Sequence, residues 1–168
     1  MKQGGARVKH TRASVIKGAQ AEYEALDAIV RRLRPADFER YVFDDRARIR
    51  WTVKDVIAHL TAWKLRDVRR ITHDRSPLEP YDAPYGAGSH EPNARIYERS
   101  HRTAARTIVA EHRAAHRATL KALREAPTQA FAKRWSPHWP ADIVGHVASH
   151  RRMHLDPLFV KAPKRERA

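Results

Sequence analysis

The sequence predicts an all-α domain, an antiparallel four-helix bundle with a long loop between the second and third helices. Three observations predict it. Ala, Arg, Leu, Glu and Lys dominate, with 27 Ala and only 6 Gly in 168 residues, a composition that favours helix over sandwich or barrel. Apolar residues recur at spacings of three and four along four long stretches. Caps and prolines punctuate those stretches where helices should begin and end. The length suits one domain of about 100–150 residues with short flanks.

The first helix is expected over Ser14–Arg34, where Val15, Ala19, Tyr23, Leu26, Val30 and Leu33 share a face and Pro35 ends the run. An irregular connection follows over 36–50. The second helix is expected to start at Thr52, with Asp55 three residues on as a capping box. Its apolar stripe runs through Val53, Val56, Ile57, Leu60, Trp63, Val68 and Ile71. Residues 74–92 carry Pro77, Pro80, Pro84, Gly86, Gly88 and Pro92 and read as a long loop, the kind that covers a site. A third helical region spans about 93–126, and its poorly apolar middle predicts a break near Thr103. The last helix is expected from Pro140 to about Val160, with Pro140 suited to the first turn. The bundle therefore covers 13–160, between basic tails at 1–12 and 161–168.

The formal charge is +15 with 34 Lys and Arg against 19 acids, which makes nucleic acid the first partner to consider. Lys2, Arg7, Lys9 and Arg12, with the net charge of 161–168, put 7 of the 15 on the two tails. The other eight are interleaved with acids along the chain and favour a solvated basic surface over an interface. Weak nonspecific DNA binding through the tails is expected. The chain has no Cys, which excludes disulfides, thiolate metal sites and a cysteine nucleophile. Lacking a membrane span or an apolar stretch behind Met1–Arg12, it reads as cytoplasmic, with no membrane contact, and as monomer or homodimer.

The strongest chemical signal is the set of 11 histidines. His146, His150 and His154 stand four apart on the last helix, and imidazoles at i and i+4 share a face able to grip one divalent ion. On a helical wheel of about 100° per residue, His154 lies about 70°, His150 about 110° and His146 about 150° from the centre of the apolar face. The wheel thus turns His150 and His154 to the bundle interior and His146 mostly to solvent. His59, beside Leu60 on the second helix, is the candidate third ligand. His112 and His116 show the same spacing on the third helix, and spacing alone does not choose between the pairs.

Several segments resemble one family. Trp51–Trp63, with His59 inside it, looks like the second-helix signature of the ClbS/DfsB group of DinB-like four-helix bundle proteins. Asn93-Ala-Arg-Ile-Tyr97-Glu98 looks like the segment following that group's long loop. Glu111–Leu123 resembles its third helix, and His150-Arg-Arg-Met-His154-Leu155 its terminal motif. The resemblance implies a divalent metal, nickel or zinc, on His59, His150 and His154. It also implies a substrate pocket walled by Trp51, Trp63, Asn93 and Tyr97, with a small electrophile as substrate and a cytoplasmic self-resistance role. The reaction implied is hydrolytic opening of a strained ring, such as a cyclopropane, by metal-assisted attack of water. Thiol-dependent transfer or isomerisation is the nearest alternative, and nonenzymatic binding of toxin or DNA the next; which residues are catalytic stays open. Lys64 and Arg151 depart from the family pattern, which usually has Glu and Tyr there, and Lys64 is expected to place a cation near the metal site.

Overall fold

The structure is a computed structural model that describes residues 10–42, 50–72, 90–132 and 141–159. Six α-helices are seen among these residues: α1 (Arg12–Val30), α2 (Val53–Thr72), α3 (His90–His101), α4 (Ala105–Glu125), α5 (Gln129–Ala132) and α6 (Ala141–His150). No strand occurs among them, only an isolated bridge between Tyr41 and Thr52. The bundle consists of α1, α2, α4 and α6, with α3 laid along α2.

α1 begins two residues before the expected start, inside the segment assigned to the tail. Thr11 Oγ1 accepts from the Ser14 N–H at 3.1 Å, while Ser14 Oγ takes the Thr11 N–H at 2.9 Å, a reciprocal cap built with Ser in place of the usual Glu. Arg12 donates to the Ala126 carbonyl and ties α1 to the end of α4. The helix stops four residues short of Arg34, because the chain tightens into i→i+3 bonds from Arg32 to Ile29 and from Leu33 to Val30. Asp37 then accepts from the Arg34 N–H at 2.9 Å and starts a 3-10 turn over Pro35–Glu39.

α2 is the central element, and every residue from Trp51 to Leu60 is buried. Its start combines a cap with a tertiary lock. The Asp55 carboxylate accepts from Thr52 N at 2.9 Å, from Thr52 Oγ1 at 2.7 Å and from Ser100 Oγ at 2.6 Å. The last of these bonds clamps α3 onto α2.

The break expected near Thr103 falls at Arg102–Ala104, where Thr103 N–H bonds back to Ser100 O at 2.9 Å and α4 restarts from an extended Ala104. α3 begins at His90, so the helix opens inside the stretch assigned to the loop; residues 74–89 of that expected loop lie outside the described residues. The tails at 1–9 and 160–168 lie outside them too. At one end of the bundle Val15, Ala19, Ile71, Leu123 and Phe131 pack together. At the other, Leu26, Ile57, Leu60, Ile108 and Leu155 do so.

After α6 the helix widens. Arg151–Leu155 forms a π turn, closed by the Asp156 N–H on the Arg151 carbonyl, and a 3-10 turn follows over Asp156–Phe159. Arg151 holds the turn to α1 by pairing with Glu22 at 3.0 Å and with Asp156 at 2.8 Å. Among the described residues no helix is long and apolar enough to cross a membrane.

Candidate metal centre

Three imidazoles converge between α2 and α6. His59, His146 and His150 each offer one ring nitrogen, and the three atoms lie within 4.8 Å of one another. His59 Nε2 is 3.0 Å from His146 Nε2. Ring centroids are 4.7 Å apart for His59 and His150, and 4.7 Å for His146 and His150. The structure therefore brings together His59 and His150, two of the residues singled out from the sequence. His154 lies beside them, its ring centroid 5.4 Å from that of His150, but outside the tightest set.

The wheel put His146 toward solvent, and this orientation is corrected. Its apolar centre was drawn partly from Leu155, Leu158 and Phe159, which lie within or beyond the π turn. Each residue of a wider turn advances the helix by a smaller angle, so a phase drawn across 143–159 does not apply to the α-helical part. Referred to Ile143, Val144 and Val147 of α6 alone, His146 moves to about 105° from the apolar centre, on the flank where it meets His59 of α2. The missing signal was the change of pitch, which hydrophobic spacing does not reveal.

Burial sets the protonation of the cluster. Desolvation, with repulsion from His146 and His150, holds the His59 pKa down to about 2. His146 is lowered to about 4 by burial and by His150, and His150 to about 4 by burial and by His154. His154 is lowered by burial as well. All are neutral near pH 7, so each ring carries one nitrogen lone pair. Trp63 Nε1–H donates to His59 Nδ1 at 3.2 Å and approaches Asn93 Oδ1 at 3.4 Å. Neutral His59 thus carries its hydrogen on Nε2, pointing at His146. His150 Nδ1 is buried with no hydrogen-bond partner, an arrangement that costs about 1–3 kcal/mol for a polar atom unless something binds there. The donor set, three neutral imidazoles with one nitrogen unclaimed, fits nickel or zinc.

The expected pocket residues divide. Trp51 meets the His59 ring edge-on at 5.0 Å, and Trp63 meets His59 at 5.9 Å and His146 at 5.6 Å. These two indoles wall the cluster, with Asn93 at its edge. Tyr97 instead packs on the core and stacks on His101 at 5.0 Å. A cavity of about 360 Å³ opens on the other side of α3, between α2, α3 and α4, lined by Ala58, Thr61, Ala62 and Ile96 with the Arg99–Glu111 pair. Residue spacing did not suggest it, because half of its lining residues are alanines.

Lys64 is not beside this cluster, contrary to expectation. It points to α1 and α4, where its Nζ lies 3.4 Å from His112 Nε2 and 5.5 Å from the Tyr23 ring centroid. Position 64 follows Trp63 by one residue, so it projects about 100° further round α2. Arg151 is spent on Glu22 and Asp156.

Fold and site together define a DinB-like helical bundle carrying a histidine cluster. The family described as the mycothiol maleylpyruvate isomerase N-terminal domain matches residues 19–156, and the chain belongs to it. The DinB-like bundle read from the motifs agrees with this match. No curated protein matches the chain. Among solved structures, an uncharacterised protein from Escherichia coli UTI89 shares the fold at a TM-score of 0.65 and 14% identity, over 86% of this chain and 92% of that one. The colibactin self-resistance protein ClbS, solved in complex with dsDNA, shares it at 0.64 and 11% identity, over 87% and 98%.

Proposed function

We propose that the chain holds one divalent ion, nickel or zinc, on His59, His146 and His150, and that it detoxifies a small electrophile by promoting attack of water. The observation that carries this reading is the convergence of three neutral imidazoles, whose ring nitrogens lie within 4.8 Å of one another. A bound cation supplies Lewis acidity, which stabilises the negative charge that develops as the electrophile is attacked. The chain's own residues do the rest. His59 gives up the hydrogen on Nε2, and Asn93 Oδ1 is the acceptor at hand for a hydrogen moved to Nδ1, fixing the ring as outer partners of ligands do. Trp51 and Trp63 wall the site and exclude bulk water. His154, the third ligand that the resemblance implies, stands beside His150 with ring centroids 5.4 Å apart.

The family match favours a second reading, with a low-molecular-weight thiol in place of water. With no Cys in the chain, such a thiol must enter as a free molecule. The solved ClbS complex favours an accessory contact with duplex DNA, for which the basic tails are the first candidates.

The test is metal analysis of untagged protein, followed by turnover of an activated cyclopropane probe with and without chelator, and with and without added thiol. About one ion per chain and chelator-sensitive product in excess of protein support the reading. Thiol dependence selects the second version. Product below one per chain that is indifferent to chelator would end both.

A further inference from the structure

On α4 the basic residues are not interleaved with acids but sorted by face. Arg106, Arg113, Arg117, Lys121 and Arg124 fall at spacings of three, four and seven, within about 80° of the helix circumference. Glu111 and Glu125, the acids of this helix, lie outside that sector. Arg113 is taken by Asp27 at 3.2 Å. The remaining four are exposed and make no ion pair among the described residues. The opposite face, with Ile108, His112, Ala115, Thr119, Ala122 and Leu123, is buried, so the cationic side chains project from a rigid, anchored helix. From Arg106 to Arg124 the row is about 27 Å long.

We propose that this row on α4 is a docking surface for the phosphate backbone of a duplex nucleic acid. The inference extends the tail contact proposed above but rests on α4 alone. Three properties select the partner. Duplex DNA carries one charge per about 1.7 Å of axis, so a row of this length faces many phosphates. Arginine dominates the row, and its fork pairs phosphate oxygens two at a time. The face has no aromatic side chain on which a single strand would stack. It has no large apolar side chain to enter a bilayer either; the exposed large hydrophobics among the described residues, Tyr41 and Met153, lie elsewhere. Contact is to backbone only, so it is independent of base sequence.

The test measures affinity for labelled 20-bp DNA and RNA duplexes across a salt series. It compares the full chain, a chain lacking 1–9 and 161–168, and the full chain with Arg117→Ala, Lys121→Ala and Arg124→Ala together. These three side chains are exposed on a helix that Ala favours, and an unchanged melting temperature shows the variant folded. The triple variant is expected to lower the slope of log K against log salt by about 2–3 on both duplexes, in the presence of the tails. A slope unchanged by the triple variant and flattened only by tail truncation overturns the proposal and leaves the tail contact standing. Weakened binding to anionic vesicles with none on either duplex overturns it too. Metal content serves as control and is expected to stay the same.

Discussion

Two histidine clusters sit on opposite sides of α2, and they share one sequence signature. His146 and His150 are four apart, as are His112 and His116. Both pairs are drawn inward, and burial lowers the pKa of all four rings. The difference lies in what each ring meets. His112 Nδ1 is 3.0 Å from Thr61 Oγ1, whose hydrogen goes to the Ile57 carbonyl at 2.8 Å. His112 therefore donates from Nδ1 and turns its Nε2 lone pair to Lys64. His116 lies flat on Tyr23, centroids 3.7 Å apart and planes 1° from parallel. A lysine and an aromatic face occupy the space that a cation would need. Across α2, His59 supplies a third imidazole in place of the lysine. Histidine spacing makes a pair; the residue arriving from the neighbouring helix decides whether the pair meets a third imidazole or a lysine.

Metal loading gives the largest expected contrast. His59→Ala and His146→Ala should each abolish high-affinity binding, whereas His112→Ala should leave about one ion per chain. The measurement is elemental analysis after dialysis, with melting temperature as a second readout, since a ligand that binds only the folded state stabilises it. Equal loss in both groups would erase the distinction.

Lys64 sharpens the other side. It is buried, and desolvation lowers its pKa to about 8. The unfolded chain keeps the proton up to about 10.4, so folding opposes the charge fully below pH 8 and no longer above about pH 10.5. Lys64→Met should therefore stabilise the protein by about 1–3 kcal/mol at pH 7, and the gain should vanish toward pH 10.5. Urea titrations at pH 7 and 10.5 check this; a destabilised variant at pH 7 would mean that the Lys64–His112 contact outweighs the burial cost.

His116 titrates in the opposite range. Its pKa is lowered to about 4 by burial and by Lys64, Arg117 and Arg124, so the folded state resists a proton that the unfolded state accepts below about 6.5. Stability from this group is complete above pH 6.5 and is lost as pH falls through 4. His116→Phe retains the stack on Tyr23 and should flatten the fall in stability between those pH values by one proton.

The smallest effect concerns the cap. Thr11→Ala should cost about 1 kcal/mol in urea unfolding. For the same reason, truncation of 1–12 should destabilise the bundle, whereas truncation of 1–9 should not.

Much of the fold was legible because it depends on local signals. The periodicity of α1, α2 and α4, the cap at Asp55 and the break at Thr103 are each written within a few residues. The helix ends were less so: Arg32 and Leu33 carry helical spacing but are drawn into a tight turn by Asp37, four or five residues on. At the site, His59 and His150 were legible as inward-facing. The position of His146 was not, since the π turn has no apolar signature. Nor was that of Lys64, whose surroundings come from Tyr23 and His112 on two other helices. Charge sorting on α4 was hidden by reading acids along the sequence instead of around the helix.

The π turn at Arg151–Leu155 amounts to one surplus residue wound into the last helix. Winding it out would shift the hydrogen-bond ladder by one step and rotate everything downstream, including His154 and Leu155. Leu155 is fully buried, so that rotation would pull an anchor from the hydrophobic floor. The buried Leu155 thus holds the turn in its observed register, like a latch in its seated position. In that register His146 and His150 close with His59 into the tightest histidine set, and His154 stands beside it.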